Sequence, residues 1–131
     1  AADDPVYDAI DAADKQSARP AYAGLVYPVT SGDYMRVGKF PSGRFDAALR
    51  VNRDTPPLFI VQALDDPIVP LSQPMAMLTA AKTAGVPVEA HFFQEGGHGF
   101  GPAYLAKDLP GSLWPDLFDK WMARNLARVS G

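Results

Sequence analysis

The chain has 131 residues and a mass of 14.1 kDa, enough for one hydrophobic core and too little for two. Apolar residues make up 47% of it and charged residues 21%, which excludes a disordered chain by composition. A net charge of -3, with scattered lysines and arginines, argues against nucleic acid as a partner. No apolar run approaches the roughly 20 residues of a membrane-spanning helix. The absence of cysteine excludes a disulfide framework and a cysteine nucleophile.

The first apolar run, YAGLVYPV at residues 22–29, lacks the alternation of a half-exposed strand. Its length and composition predict a strand that is covered on both faces. Residues 30–56 follow as a long irregular segment in which glycine and proline interrupt every periodic pattern. Because so long a loop in a compact domain is usually functional, we predict a lid-like loop, with one helical turn at residues 45–49.

A second buried strand is predicted at residues 58–64 (LFIVQAL), followed by a helix. Ser72 has the residue type of a helix N-cap, and Pro74 falls in the first turn, where its missing N–H costs nothing. The helix is predicted to cover residues 75–84 and to end at Gly85, a residue type that favours the left-handed position after a helix.

Residues 86–93 (VPVEAHFF) predict a third strand, and residues 115–127 a final amphipathic helix. The apolar residues at helical spacing that support this helix are Trp114, Leu117, Phe118, Trp121 and Met122. Alternation of strands and helices predicts an α/β fold, with a parallel sheet of about three strands between layers of helices.

Acidic and basic side chains follow two neighbouring strands of this predicted sheet. Asp65 and Asp66 come directly after the second strand, and His98 lies in a glycine-rich loop after the third. Because the carboxyl ends of parallel strands meet at one edge, an aspartate there can accept a hydrogen bond from one imidazole nitrogen. The other nitrogen can then act as a general base.

Structural interpretations compete with this one. An aspartate after a strand is commonly a turn residue, which is the interpretation we prefer for Asp65 and keep as the alternative for Asp66. His98 could be an exposed turn residue, and His91, in mid-strand, is interpreted as structural. The residues His91, His98, Glu89 and Glu95 lack the spacing of metal ligands, so we predict neither a metal nor a cofactor.

A histidine–aspartate pair needs a nucleophile to activate, and the expected one is a serine within a Gly-x-Ser-x-Gly turn. The serines of the chain are Ser17, Ser31, Ser42, Ser72, Ser112 and Ser130. None of them stands in that motif. We therefore predict that the nucleophile lies outside these 131 residues.

Two segments resemble α/β-hydrolases of the acetyl-xylan-esterase, lipase and dienelactone-hydrolase-like group. Residues 55–70 (TPPLFIVQALDDPIVP) are similar to the acid-bearing segment of that family, and residues 84–101 (AGVPVEAHFFQEGGHGFG) to its histidine segment. The acid that precedes x-x-Val-Pro maps to Asp66, and the histidine of the Gly-Gly-His-Gly-Phe run maps to His98. Residues 17–29 and 114–121 also resemble the corresponding strand and last helix.

The resemblance implies that residues 1–131 are the C-terminal part of a single α/β-hydrolase domain whose nucleophile-bearing N-terminal part is absent. The complete protein would be a serine esterase acting on short-chain acyl esters or acetylated carbohydrates, and this chain alone would be inactive. Residues 30–56 and 100–104 would help to wall its substrate pocket. A peptidase or lactone hydrolase of the same superfamily, or a non-catalytic binding module, remains the alternative.

The strand at residues 22–29 would leave one edge of the sheet unpaired, which proteins usually avoid. We predict that the missing N-terminal half, a second copy of the chain or a swapped segment covers it. The first residues, AADDP, lack the basic and apolar regions of a secretory signal, and the sequence leaves the compartment open.

Overall fold

The computed structural model describes residues 8–17, 19–32, 46–101 and 106–129. Its sheet has three parallel strands in the order β1-β2-β3, and the bounds are β1 Ala23–Val26, β2 Leu58–Ala63 and β3 Val88–Phe93. Helix α1 spans Ser72–Ala84 between β2 and β3, and helix α2 spans Trp114–Val129 after β3. The predicted α/β fold with three parallel strands and flanking helices is confirmed.

Strand β2 is buried along its whole length because each of its faces packs against a different helix. Leu58 and Ile60 face α1, where they meet Met77 and Ala81. The alternate residues face α2 and form the second core cluster, which consists of Phe59, Val61, Ala63, Phe100 and Trp121. This two-sided burial explains why both faces of the strand carry apolar residues in sequence.

Helix α2 packs through its aromatic side chains, as its helical spacing predicts. The ring of Phe59 lies 5.2 Å from that of Phe118 and 5.5 Å from that of Trp121, between centroids. A Cβ atom on Gly24 would stand 3.0 Å from the ring of Phe118, so the helix approaches β1 closely only because that residue has no side chain. Full burial of an aromatic side chain such as Phe59 contributes about 1.5–3 kcal/mol.

Several ends of the elements differ from the predicted bounds, and three of these differences have a clear local cause. Ser72 is the first residue of α1 and makes no cap, since the N-cap position falls on Leu71, whose backbone is already helical at φ -55°. Strand β1 ends at Val26 because Tyr27 turns the chain with φ 41°. Strand β3 begins at Val88 because the N–H of Val86 still donates to the carboxyl-terminal turn of α1.

The carboxyl end of α1 agrees with the prediction. Gly85 has φ 72°, a left-handed conformation that glycine adopts without steric cost, and its N–H donates to carbonyls of the last helical turn.

The predicted lid-like loop is described only at its two ends, and residues 33–45 lie outside the described residues. An antiparallel bridge joins Ser31 to Asp46, and the N–H of Ala47 donates to the carbonyl of Thr30 at 2.8 Å. The amide oxygen of Gln73, on α1, accepts from the N–H groups of Thr30 and Ser31 at 2.8 and 2.9 Å. A short 3₁₀ turn at Ala48–Arg50 takes the place of the helical turn predicted at 45–49.

The predicted free edge is present in the described part of the chain. Strand β1 pairs only with β2 there, and its residues are half-buried or exposed, in contrast to those of β2. What covers this edge stays a prediction.

Candidate active site

The predicted acid and base lie together at the carboxyl edge of the sheet. Asp66 follows the end of β2, and His98 follows the end of β3. The imidazole Nδ1 of His98 stands 2.9 Å from the carboxylate Oδ2 of Asp66. The carboxylate side chain is 1% exposed and the imidazole 28%, so the acid is covered while the base faces outward.

Four donors hold the carboxylate of Asp66. Its Oδ1 accepts from the backbone N–H groups of Ile68 and Val69 at 2.8 and 2.9 Å. Its Oδ2 accepts from the side-chain amide of Gln62 at 3.0 Å and faces His98. Burial raises the pKa of Asp66, but the hydrogen bonds from Val69, His98 and Ile68 outweigh it and lower the pKa below its ordinary value of 3.8.

The protonation of Asp66 decides the tautomer of His98. A carboxylate that is ionised near neutral pH only accepts hydrogen bonds, so the Nδ1–H of His98 is the donor. The Nε2 atom then carries a lone pair, and no described residue bonds to it. This arrangement can take a proton from a hydroxyl group placed on the outward side of the ring.

The glycines beside His98 provide the backbone turn that brings the ring to Asp66. Gly97 and Gly99 have φ values of 62° and 76°, a region that side-chain-bearing residues rarely adopt. Asp65 supports the same loop, because its Oδ1 accepts from the N–H of Gly97 at 2.8 Å. Of the two adjacent aspartates, one therefore bonds the imidazole and the other the backbone beside it.

An aromatic side chain that the sequence analysis did not single out packs against the imidazole. The ring centroid of Tyr27 lies 4.8 Å from that of His98 and 5.3 Å from that of Phe100. The backbone of Tyr27 has φ 41°, and a bulky residue held there stores on the order of 1–3 kcal/mol of strain. The sequence signal was an aromatic residue before Pro28 at the end of a strand.

Gln62 was also missed, although it is the one polar residue in the apolar run of β2. It is fully buried at the carboxyl end of that strand. A buried amide requires hydrogen-bond partners, and this requirement was the signal in the sequence.

His91 lies apart from this pair. Its Nε2 stands 2.9 Å from Glu89 Oε1 on the same strand, and its ring lies 5.2 Å from that of Phe59. Across the described residues, no group of three or more metal-ligating side chains converges. A groove of about 450 Å³ lies at the amino end of β3, between Gly85 and Arg124, and none of its lining residues belongs to the Asp66–His98 pair.

The fold and site define the class of protein, which is an α/β-hydrolase. The model of the prolyl oligopeptidase family matches residues 2–113, and the chain belongs to that family. Comparison with curated protein sequences gave no match.

Solved structures support the same class. An acetyl ester-xyloside bifunctional hydrolase from Caldicellulosiruptor lactoaceticus is 30% identical, with a TM-score of 0.78 over 88% of this chain and 46% of its own. A sugar hydrolase from Lactococcus lactis is 29% identical, with a TM-score of 0.72 over 84% of this chain and 50% of its own. The chain therefore spans about half the length of these relatives, and the resemblance to α/β-hydrolase esterases is confirmed. No helix in the described part of the chain is long and apolar enough to cross a membrane.

Replacing Asp65 by alanine is expected to destabilise the His98 loop, because the N–H of Gly97 loses its acceptor. The expected loss in free energy of unfolding is about 0.5–1.5 kcal/mol, measured by urea denaturation. Asp65→Asn keeps the acceptor oxygen and is the matched control. Equal losses in both variants would show that the hydrogen bond does not hold the loop.

Stability at acid pH is expected to depend on Asp66. Because folding lowers the pKa of this carboxyl, its contribution is complete above the ordinary value of 3.8 and is lost as the pH falls through the lower folded-state pKa. Urea denaturation between about pH 5 and 2 should therefore show a steeper loss in the wild type than in Asp66→Asn, which cannot titrate. Parallel curves for the two proteins would contradict this assignment.

Proposed function

We propose that this chain carries the acid and the base of a serine-type carboxylester hydrolase, whose nucleophilic serine lies outside residues 1–131. The observation that carries the proposal is the 2.9 Å contact of His98 Nδ1 with a buried, fourfold-bonded Asp66 carboxylate. That contact orients the imidazole with Nε2 outward and unbonded among the described residues. A general base needs this arrangement.

The mechanism follows from these two side chains. The Nε2 of His98 takes the hydroxyl proton of the serine as its oxygen attacks the ester carbonyl, and Asp66 stabilises the imidazolium that forms. His98 then gives the proton to the leaving alcohol as the ester C–O bond breaks, leaving an acyl-enzyme. Water, deprotonated by the same Nε2, then attacks the acyl carbonyl. The acyl–serine bond breaks as His98 returns the proton to the serine oxygen, which releases the acid and regenerates the serine.

The substrates we propose are short-chain acyl esters, acetylated carbohydrates among them. Support comes from two similar structures, which are named as an acetyl ester-xyloside bifunctional hydrolase and a sugar hydrolase and are 30% and 29% identical to this chain. The oxyanion-hole donors and the nucleophile would come from the rest of the protein, so residues 1–131 alone should be inactive.

The part that supplies the serine is proposed to pair with the free edge of β1. If that strand is parallel to β1, its carboxyl end lies at the same edge of the sheet as those of β2 and β3, which carry Asp66 and His98. A second copy of the chain or a swapped segment would also cover this edge, but neither would bring a serine in a Gly-x-Ser-x-Gly motif.

Peptide hydrolysis is the second candidate, favoured by the match to the prolyl oligopeptidase family. Ester and peptide hydrolysis use the same acid and base, so the two reactions are distinguished by the leaving group, which is an alcohol in one and an amine in the other. A non-catalytic binding module would need neither the Asp66–His98 contact nor a serine partner.

The test compares the full-length protein with residues 1–131 on 4-nitrophenyl acetate and on a prolyl 4-nitroanilide. We expect ester turnover only in the full-length protein, with loss after treatment by a serine-reactive fluorophosphonate. Faster cleavage of the anilide would favour the peptidase. Absence of both activities in the full-length protein, or activity that resists the fluorophosphonate, would contradict the proposal.

A further inference from the structure

Gln62 occupies an exceptional place in the core. Its side chain is 0% exposed in a strand whose other residues are all apolar. The amide nitrogen donates to Asp66 Oδ2 at 3.0 Å and to the carbonyl of Val69 at 3.0 Å. The amide oxygen is buried, and among the described residues it has no hydrogen-bond partner.

The orientation of this amide is determined by its surroundings. The amide nitrogen of Gln62 faces two groups, the carboxylate Oδ2 of Asp66 and the carbonyl of Val69, and both are acceptors. Rotating the amide by half a turn would point its oxygen at two acceptors and lose both hydrogen bonds. The buried oxygen without a partner is therefore the cost of the orientation that donates.

Gln62 is also the donor that ties the acid to the sheet. Ile68 and Val69, which bond Oδ1, belong to the same loop as Asp66 and move with it. His98 belongs to the other loop, the one to be oriented. Of the four donors, Gln62 alone comes from a strand, and its second hydrogen bond holds Val69 at the other end of the acid loop.

We propose that Gln62 is a positioning residue that anchors the carboxylate of Asp66 to β2, so that Oδ2 is held where the Nδ1–H of His98 can donate to it. This inference rests on the proposed function, since it assigns Gln62 to the acid–base pair of the hydrolase. Loss of the anchor leaves the carboxylate of Asp66 bonded only by the backbone of its own loop and by the imidazole. The outward direction of Nε2 then becomes less well defined.

The test uses Gln62→Met in the full-length protein, because methionine has a similar length and no donor. Asn125→Leu is the matched control, since Asn125 is also a buried amide side chain and donates to the carbonyl of Trp121 on α2, away from Asp66. The first readout is the low-field proton resonance of His98 Nδ1–H, assigned by its absence in His98→Ala. The second is kcat and KM on 4-nitrophenyl acetate.

We expect Gln62→Met to shift or broaden the Nδ1–H resonance and to lower kcat by about 10- to 100-fold with little change in KM, because misplacing a reacting group by about 1 Å has effects of this size. Asn125→Leu should keep the resonance and most of kcat. If Gln62→Met does not fold, Gln62→Leu, which also removes the donor and matches the apolar side chains of the rest of β2, is measured in its place.

An unchanged resonance in the Gln62 variant overturns the inference, and so does an equal fall of kcat in the Asn125 control. These results differ from failure of the proposed function, which would appear as wild-type protein without His98-dependent hydrolysis. In that case the resonance alone still decides whether Gln62 positions the pair.

Discussion

Replacing His98 by alanine is expected to lower kcat for ester hydrolysis in the full-length protein by about 10⁶-fold, the effect seen when the base of a serine hydrolase is removed. The reason is that, in the proposed mechanism, the serine hydroxyl loses the group that takes its proton. The imidazole is 28% exposed and donates one hydrogen bond, so its loss should leave the fold intact. The measurement is steady-state hydrolysis of 4-nitrophenyl acetate, with circular dichroism as the check on folding.

His91→Ala is the matched control for this variant. The chain has two histidines, and His91 bonds Glu89 on β3 rather than Asp66. We expect its removal to leave kcat within a few-fold of the wild type. A comparable loss in both histidine variants would point to damage to the sheet rather than to the loss of a base.

Replacing Asp66 by asparagine is expected to lower kcat by about 10⁴-fold. The backbone N–H groups of Ile68 and Val69 still require an acceptor, so they hold the amide oxygen of the new side chain at the Oδ1 position. Its NH₂ group then takes the place of Oδ2 and points a donor at His98 Nδ1. The ring adopts the other tautomer, with the proton on Nε2, and can no longer accept a proton from serine.

The same substitution brings this NH₂ group against the amide of Gln62, which also donates. We therefore expect a loss of stability beside the loss of activity. Asp119→Asn, on the exposed surface of α2, is the control that changes the charge equally without touching the site.

Because acid and base act as one unit, the double variant of Asp66 and His98 should be no slower than His98→Ala alone. Losses that multiply would show that the two side chains act independently.

The elements of this fold could be predicted where local sequence decides the structure. The continuous apolar run at 58–64 predicted β2 because a strand between two helix layers has no polar face. Gly85 predicted the end of α1 because glycine takes the left-handed conformation without a side-chain clash.

Predictions were wrong where the end of an element depends on backbone conformation or tertiary contacts rather than on the hydrophobic pattern. The cap expected at Ser72 does not form because the chain is already helical at Leu71, and β1 stops early because Tyr27 turns with positive φ against the ring of His98. Neither event has a signature in hydrophobic periodicity.

The site shows the same division. Sequence alone determined the family, the α/β class and the two residues proposed as acid and base, because their motifs are local and the carboxyl ends of parallel strands meet at one edge. Only the tertiary structure decided which nitrogen of His98 faces outward, since that depends on where Ile68, Val69 and Gln62 hold the oxygens of Asp66. Hydrogen-bond directions of this kind arise from residues distant along the chain, and no periodic pattern encodes them.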